Sequence, residues 1–89
     1  MKIQTRVLKD IYFEGKKVSI EKISNNTGLT INQIYEAIRH LKDRGLIKVE
    51  GTRTEDIGYK KPPYKKVLIE INDNVINRIK KVIRRGENE

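Results

Sequence analysis

The stretch LTINQIYEAIRHLKDRGLI, residues 29–47, decides the fold of this 89-residue chain. Thr30 suits a helix N-cap because its hydroxyl can accept a hydrogen bond from a free amide of the first turn. Gln33 follows three residues later and completes the capping-box pattern. Gly45 can adopt the left-handed conformation that ends helices at low cost. The pattern therefore predicts one helix that begins after Thr30 and ends before Gly45.

Apolar residues recur in this predicted helix at the spacing of a single buried stripe, through Ile34, Ala37, Ile38 and Leu41. The opposite face mixes amide, aromatic, guanidinium and carboxylate groups. Such groups bind base edges and phosphates in nucleic acids. The polar face comprises Asn32, Gln33, Tyr35, Glu36, Arg39, His40 and Asp43.

A shorter helix is predicted just before this one, from about Ile20 to Asn26, with Ser19 as its cap. Residues 25–28, NNTG, form a strong helix breaker. Two helices joined by a tight turn form a helix-turn-helix. We expect Ile23 of the short helix to pack beneath the long one and fix its angle.

Residues 1–14 predict an N-terminal helix that ends at Gly15. Its apolar stripe is expected to belong to the core. Val18–Ser19 can form a very short strand before the helix-turn-helix. The stripe comprises Ile3, Val7, Leu8 and Ile11, with Tyr12 and Phe13 beside it.

Beyond Leu46 the apolar period changes to two, which predicts half-buried antiparallel strands at about 46–50 and 67–71. The segment between them, GTRTEDIGYKKPPY, is too long for a tight hairpin turn and is rich in cations. A long basic loop of this kind beside a helix-turn-helix is a wing. We expect Arg53, Lys60 and Lys61 to contact the phosphate backbone or to enter the minor groove, the alternative being a solvated loop.

A last helix is predicted from about Asn74 to Arg85, capped by Asn72–Asp73 and ended by Gly86. Its apolar stripe is wider than so small a domain needs, which favours a dimer interface. The alternative is that the stripe only closes the core of a monomer. The stripe comprises Val75, Ile76, Ile79, Val82 and Ile83.

The pattern T-x-x-x-I-Y-x-A-I-R-x-L-x-x-x-G-L-I resembles the recognition helix and following strand of winged helix-turn-helix transcription regulators. This group includes MarR-, PadR- and ArsR-like repressors and many small archaeal and viral regulators. The resemblance covers about Val18 to Ile71. It implies one α+β domain over residues 1–89, in the order helix, short strand, helix, helix, strand, wing, strand, helix. The helix-turn-helix would span about 19–45, the wing about 46–71 and the C-terminal helix about 73–86.

The first turns of a recognition helix approach the bases. We therefore expect Asn32, Gln33 and Glu36 to contact base edges and Arg39 to contact a base or a phosphate. An alternative for Glu36 is an ion pair with Arg39 or His40 on a solvated face. The expected phosphate-facing residues are Thr30, Tyr35 and His40.

Composition restricts the possible function classes. The 20 Lys and Arg against 12 Asp and Glu give a net charge of +8, which favours polyanionic partners. There is no cysteine and one histidine, which excludes disulfides and zinc sites of the usual ligands. No apolar run reaches the roughly 20 residues of a membrane span, so a soluble cytoplasmic protein is expected.

No glycine-rich phosphate loop or paired catalytic groups occur in the sequence, so we expect no enzymatic activity, cofactor, metal or small-molecule ligand. The sequence favours sequence-specific binding of double-stranded DNA by a homodimeric transcription regulator. One alternative is a protein-interaction module within a larger assembly. Another is an architectural protein that coats DNA with little sequence preference.

Overall fold

The computed structural model of the chain describes residues 2–50 and 67–87. The predicted wing loop, with Arg53, Lys60 and Lys61, lies outside these residues. The described elements form a mixed α+β domain with four α-helices and a three-stranded antiparallel sheet. In chain order they are α1 (Ile3–Glu14), β1 (Val18–Ser19), α2 (Ile20–Thr27), α3 (Ile31–Asp43), β2 (Ile47–Glu50), β3 (Leu68–Ile71), a 3-10 turn (Asp73–Val75) and α4 (Ile76–Glu87).

The sheet has the strand order β1-β3-β2, and both pairings are antiparallel. Ile69 in the central strand lies opposite Val18 on one side and Val49 on the other. Because alternate residues of a strand point to opposite faces, these three share the inner face, where Ile69 is fully buried. The predicted period-two alternation is thus confirmed in β2, where Lys48 and Glu50 are exposed.

The helix-turn-helix forms as predicted from local hydrogen bonds. Ser19 Oγ accepts from the Lys22 amide at 3.1 Å and caps α2. Gly28 ends α2 in the left-handed conformation, with φ of 75°. The Ser24 hydroxyl then donates to the Leu29 carbonyl at 2.8 Å. These bonds fix the turn that sets the direction of α3.

The capping box of α3 is present in full. Thr30 Oγ1 accepts from the Gln33 amide at 3.1 Å, and Gln33 Oε1 accepts from the Thr30 amide at 3.0 Å. Gly45 adopts a φ of 74° beyond the end of the helix, as predicted. The apolar stripe of α3 is buried against α1, α2 and β2. Its buried members are Ile34, Ala37, Ile38 and Leu41.

The predicted N-terminal stripe is confirmed in part. The helix begins at Ile3, and Val7, Leu8 and Ile11 are buried in the core. Ile3 is 38% exposed and Phe13 is 73% exposed, so these two apolar side chains lie at the surface. Helix α1 packs against α2, α3, β3 and α4, which makes it the central element of the domain.

The prediction that Gly86 ends the last helix is wrong. Gly86 lies inside α4, without the left-handed conformation that Gly15, Gly28 and Gly45 adopt. It is buried against Thr5 of α1, where an added Cβ would overlap the threonine side chain. A glycine is needed here because two helices approach closely.

The wide apolar stripe of α4 divides between core and surface. Ile79 and Ile83 are buried within the chain's own core, so these two predicted interface residues are covered without a partner. Val75 and Val82 are half-buried and pack against the same core. Ile76 is half-buried beside a groove at the end of α1. Closure of the monomer therefore accounts for much of the stripe's width.

Candidate nucleic-acid interface

The first turn of α3 presents three of the predicted contact residues at the surface. Thr30, Asn32 and Gln33 are all exposed. The side-chain oxygens of Thr30 and Gln33 are used within the capping box, as the Thr-x-x-Gln pattern itself indicated. The side chain of Asn32 has no hydrogen-bond partner among residues 2–50 and 67–86, so its amide group can offer both a donor and an acceptor to a base edge.

A cluster of three exposed charged or titratable groups lies one turn further along α3. Arg39 Nη2 donates a hydrogen bond to Glu36 Oε1, and His40 Nε2 lies 3.4 Å from the same oxygen. The structure therefore contains the ion pair that the sequence offered as the alternative for Glu36. In this arrangement Glu36 neutralises Arg39. A contact between Arg39 and DNA therefore requires Arg39 to leave Glu36 and bind the DNA instead.

Tyr35 differs from its neighbours on the polar face. It is half-buried and packs against the hydrophobic core. This packing fixes the ring while leaving part of it at the surface. Its predicted role as a phosphate contact remains a proposal.

Helix α3 has no net formal charge. The helix carries two cations, Arg39 and Lys42, and two carboxylates, Glu36 and Asp43, so its formal charge is zero with His40 neutral. Arg44 follows directly as the C-cap residue and is also exposed. The recognition helix therefore offers polar groups for specific contacts and no excess of positive charge.

Helix α1 holds the end of α2 and thereby the turn before α3. Arg6 Nη2 donates to the Thr27 carbonyl at 2.7 Å, which satisfies a free carbonyl at the helix end. Asn26 Nδ2 donates to Glu14 at 2.9 Å and to Asp10 at 3.3 Å. Burial raises the pKa of the Asp10 carboxyl, although the hydrogen bond from Asn26 opposes the shift.

A lysine directly before β1 pairs with carboxylates of the other two strands. Lys17 Nζ lies 3.0 Å from both carboxylate oxygens of Glu50 and 3.8 Å from Glu70. The hydrogen bond to Glu50 raises the pKa of Lys17 above its ordinary value. Because Glu50 is the last residue of β2, this contact anchors the strand where the predicted wing begins.

Other kinds of site find little support in the described residues. A groove of about 410 Å³ lies between the end of α1 and the start of α4, with Tyr12, Lys17 and Ile76 among its lining residues. Residues 2–50 and 67–87 contain no group of three or more histidine or carboxylate side chains placed to hold a metal ion. In the same part of the chain, no helix combines the length and apolarity required to span a membrane.

The fold, with its exposed polar helix after a tight turn, defines a winged-helix domain. A family model described as TFIIE alpha subunit matches residues 3–89, so the chain belongs to this family. The family is of a transcription-related, DNA-binding winged-helix type, which confirms the predicted fold class and the general function. The finer resemblance to MarR-, PadR- or ArsR-like regulators is not what this match shows. Comparisons with curated proteins and with solved structures gave no significant match.

Proposed function

We propose that the protein binds double-stranded DNA sequence-specifically through α3 and regulates transcription. The observation that carries this proposal is the division of α3 into two faces. Ile34 and Ile38 anchor one face in the core, while Asn32 and Arg39 are exposed on the other. A helix fixed in this way can present its polar groups to base edges at a defined angle.

The dimensions of α3 fit this role. Its 13 residues span about 20 Å, and the major groove is about 12 Å wide. In helix-turn-helix proteins the N-terminal part of the second helix approaches the bases. Asn32 then reads a base edge, with Gln33 and Glu36 beside it. In this proposal Thr30, Tyr35 and His40 contact flanking phosphates.

The wing supplies further phosphate contacts in this proposal. Strands β2 and β3 pair from Ile47 opposite Ile71 to Glu50 opposite Leu68, so the ends of the two strands nearest the wing segment in sequence lie side by side. Arg53, Lys60 and Lys61 of that segment would add affinity without reading bases, because phosphate contacts carry no sequence information.

A homodimer would let two recognition helices read half-sites about 34–36 Å apart, which is one turn of DNA. Surface apolar groups around the end of α1 and the start of α4 support this arrangement. Phe13 is 73% exposed, and Tyr12 and Ile76 line the adjacent groove. Sedimentation at tens of micromolar, with and without DNA, should show a species of twice the 10.4-kDa chain mass. A monomer under both conditions would rule out the dimer.

Selection of bound duplexes from a random pool tests the DNA-binding proposal. The wild-type chain should recover a defined motif, as an inverted repeat if it dimerises. Asn32→Ala should relax one or two positions of that motif, because a lost bidentate base contact costs about 1–3 kcal/mol of discrimination. Lys16→Ala removes an exposed cation far from α3 in the chain and should leave the motif unchanged. A motif that survives Asn32→Ala intact would show that Asn32 does not read bases.

The electroneutral α3 favours a second candidate, a protein-interaction module within a transcription assembly. Glu36 already neutralises Arg39, and membership of a transcription-factor subunit family agrees with this role. In that case no duplex would be enriched in the selection. Architectural DNA coating would instead give salt-dependent binding without a recovered motif.

A further inference from the structure

Helix α4 carries the largest net charge of the helices and strands that the structure describes. Helix α4 contains five cations and a single carboxylate, a formal charge of +4 and half of the net +8 of the chain. All five cations are exposed, whereas the opposite face carries the buried Ile79 and Ile83. The five cations, which we call the α4 basic face, are Arg78, Lys80, Lys81, Arg84 and Arg85.

The α4 basic face has no neutralising partners among residues 2–50 and 67–86. None of its five side chains forms a hydrogen bond or an ion pair with a residue of these two ranges. A solvated helix face usually alternates carboxylates with cations four residues apart, because such pairs stabilise the helix. Here the pairs at that spacing, Lys80 with Arg84 and Lys81 with Arg85, repel each other. Favourable interaction with the helix dipole accounts only for Arg84 and Arg85 in the last turn.

The arrangement of the cations suits a regularly charged polymer. Arg78, Lys81 and Arg85 follow one line along the helix surface because their separations are three and four residues. This line is about 10 Å long, since each residue advances the helix by about 1.5 Å. One strand of duplex DNA presents about three phosphates over that length of its helix axis, at an axial rise of about 3.4 Å each.

The position of α4 separates its basic face from the recognition helix. Both α3 and α4 pack against α1, which has residues buried against each of them. Burial of Thr5 against Gly86 fixes α4 on α1 at its C-terminal end. The α4 basic face is therefore a surface separate from the polar face of α3.

We infer that the α4 basic face is a second nucleic-acid-binding surface, which contacts the phosphate backbone of a duplex without reading its sequence. Charge complementarity identifies the ligand. An anionic membrane is disfavoured because a membrane-surface helix inserts its apolar face, and here Ile79 and Ile83 are committed to the core. The surface supplies the general electrostatic attraction for DNA that the electroneutral α3 lacks.

Binding to a duplex of unselected sequence, measured by fluorescence anisotropy between about 50 and 200 mM salt, tests this inference. Lys81→Gln with Arg85→Gln should reduce the slope of log affinity against log salt by about 1.8, since each phosphate contact contributes about 0.9. The affinity loss across this salt range should therefore be about tenfold smaller than in the wild type. Glutamine has a helix propensity close to those of lysine and arginine, so α4 should stay folded.

Lys16→Gln with Lys48→Gln is the matched control. It removes two exposed cations from the loop after α1 and from β2, and should preserve most of the salt dependence. Equal slopes for the α4 variant and this control would overturn the inference. So would an α4 variant that keeps duplex binding but loses binding to phosphatidylserine vesicles or to polyglutamate.

The inference does not depend on base reading by α3, and the same proteins separate the two. If the wild-type chain enriches no motif but the α4 variant still lowers the salt slope, sequence-specific binding alone is refuted. If the wild-type chain enriches a motif but the α4 variant leaves the salt slope unchanged, the second surface alone is refuted. Absence of any duplex binding by the wild-type chain would refute both.

Discussion

Gly86 of the last helix packs directly on Thr5 of the first, with no room for a side chain between them. A Cβ atom added to Gly86 would overlap Thr5 Cγ2 and lie 3.0 Å from both Cβ and Oγ1 of the threonine. These residues are 81 positions apart in the chain, near its two ends. Their contact holds α4, with its basic face, against the central helix of the domain.

Gly86→Ala should therefore destabilise the fold. Overpacking costs about 1–3 kcal/mol, and the higher helix propensity of alanine recovers about 1 kcal/mol. Urea unfolding should show a lower midpoint for Gly86→Ala than for the wild type. Asn77→Ala, at an exposed position of the same helix, is the control and should be neutral or slightly stabilising. Thr5→Ser removes Cγ2 and should reduce the cost of Gly86→Ala. An increase in stability with Gly86→Ala would show that the helices can separate freely.

Alanine substitutions at Asn32 and Gln33 should differ in their effects on stability, although the two residues are adjacent on the polar face of α3. Gln33→Ala removes the bond from the Thr30 amide to Gln33 and should cost about 0.5–1.5 kcal/mol of unfolding free energy, the net contribution of one hydrogen bond. Asn32→Ala removes no bond to a described residue and should change stability by less than about 0.5 kcal/mol. Chemical denaturation of both variants, compared with Thr30→Ala, measures this difference. Equal destabilisation by Asn32→Ala and Gln33→Ala would contradict the separate roles.

Glu36→Gln should strengthen DNA binding by releasing Arg39 from its ion pair. One additional phosphate contact should increase the magnitude of the salt slope by about one unit. Protein stability should change little, because exposed pairs contribute about 0–1 kcal/mol. Asp43→Asn, an exposed carboxylate at the other end of α3, controls for the change in net charge. Weaker binding by Glu36→Gln alone would instead indicate that Glu36 accepts a hydrogen bond from a base.

The raised pKa of Asp10 predicts a pH dependence of stability. Because burial raises the folded-state pKa above 3.8, protonated Asp10 favours the fold below about pH 3.8. That contribution is lost as the pH rises through the folded-state pKa. Asp10→Asn keeps an acceptor for Asn26 without the charge, so it should be more stable than the wild type at pH 7. The difference should vanish below pH 3.8. An Asp10 pKa at or below 3.8 in an NMR titration would contradict this expectation.

The bounds of the helix-turn-helix were predictable from local sequence almost to the residue. The caps at Ser19 and Thr30 and the stop at Gly45 depend on hydrogen bonds and backbone conformations within a few residues, so local pattern suffices to predict them. The buried stripe of α3 was predictable for a similar reason, because helical periodicity fixes which side chains share a face. The exposed polar face of α3 follows from the same periodicity.

The role of the last helix depends on contacts between residues that are distant in the chain. Ile79 and Phe13 are both large and apolar, yet Ile79 is fully buried and Phe13 is 73% exposed. Gly86 resembles a helix stop in sequence, but its role depends on Thr5 at the other end of the chain. Helical periodicity separates the five cations of α4 from its apolar stripe, but only the packing of α4 against α1 shows that their side of the helix faces solvent. Contacts between residues distant in the chain have no local pattern, so the fold alone separates the α4 basic face from the electroneutral recognition helix.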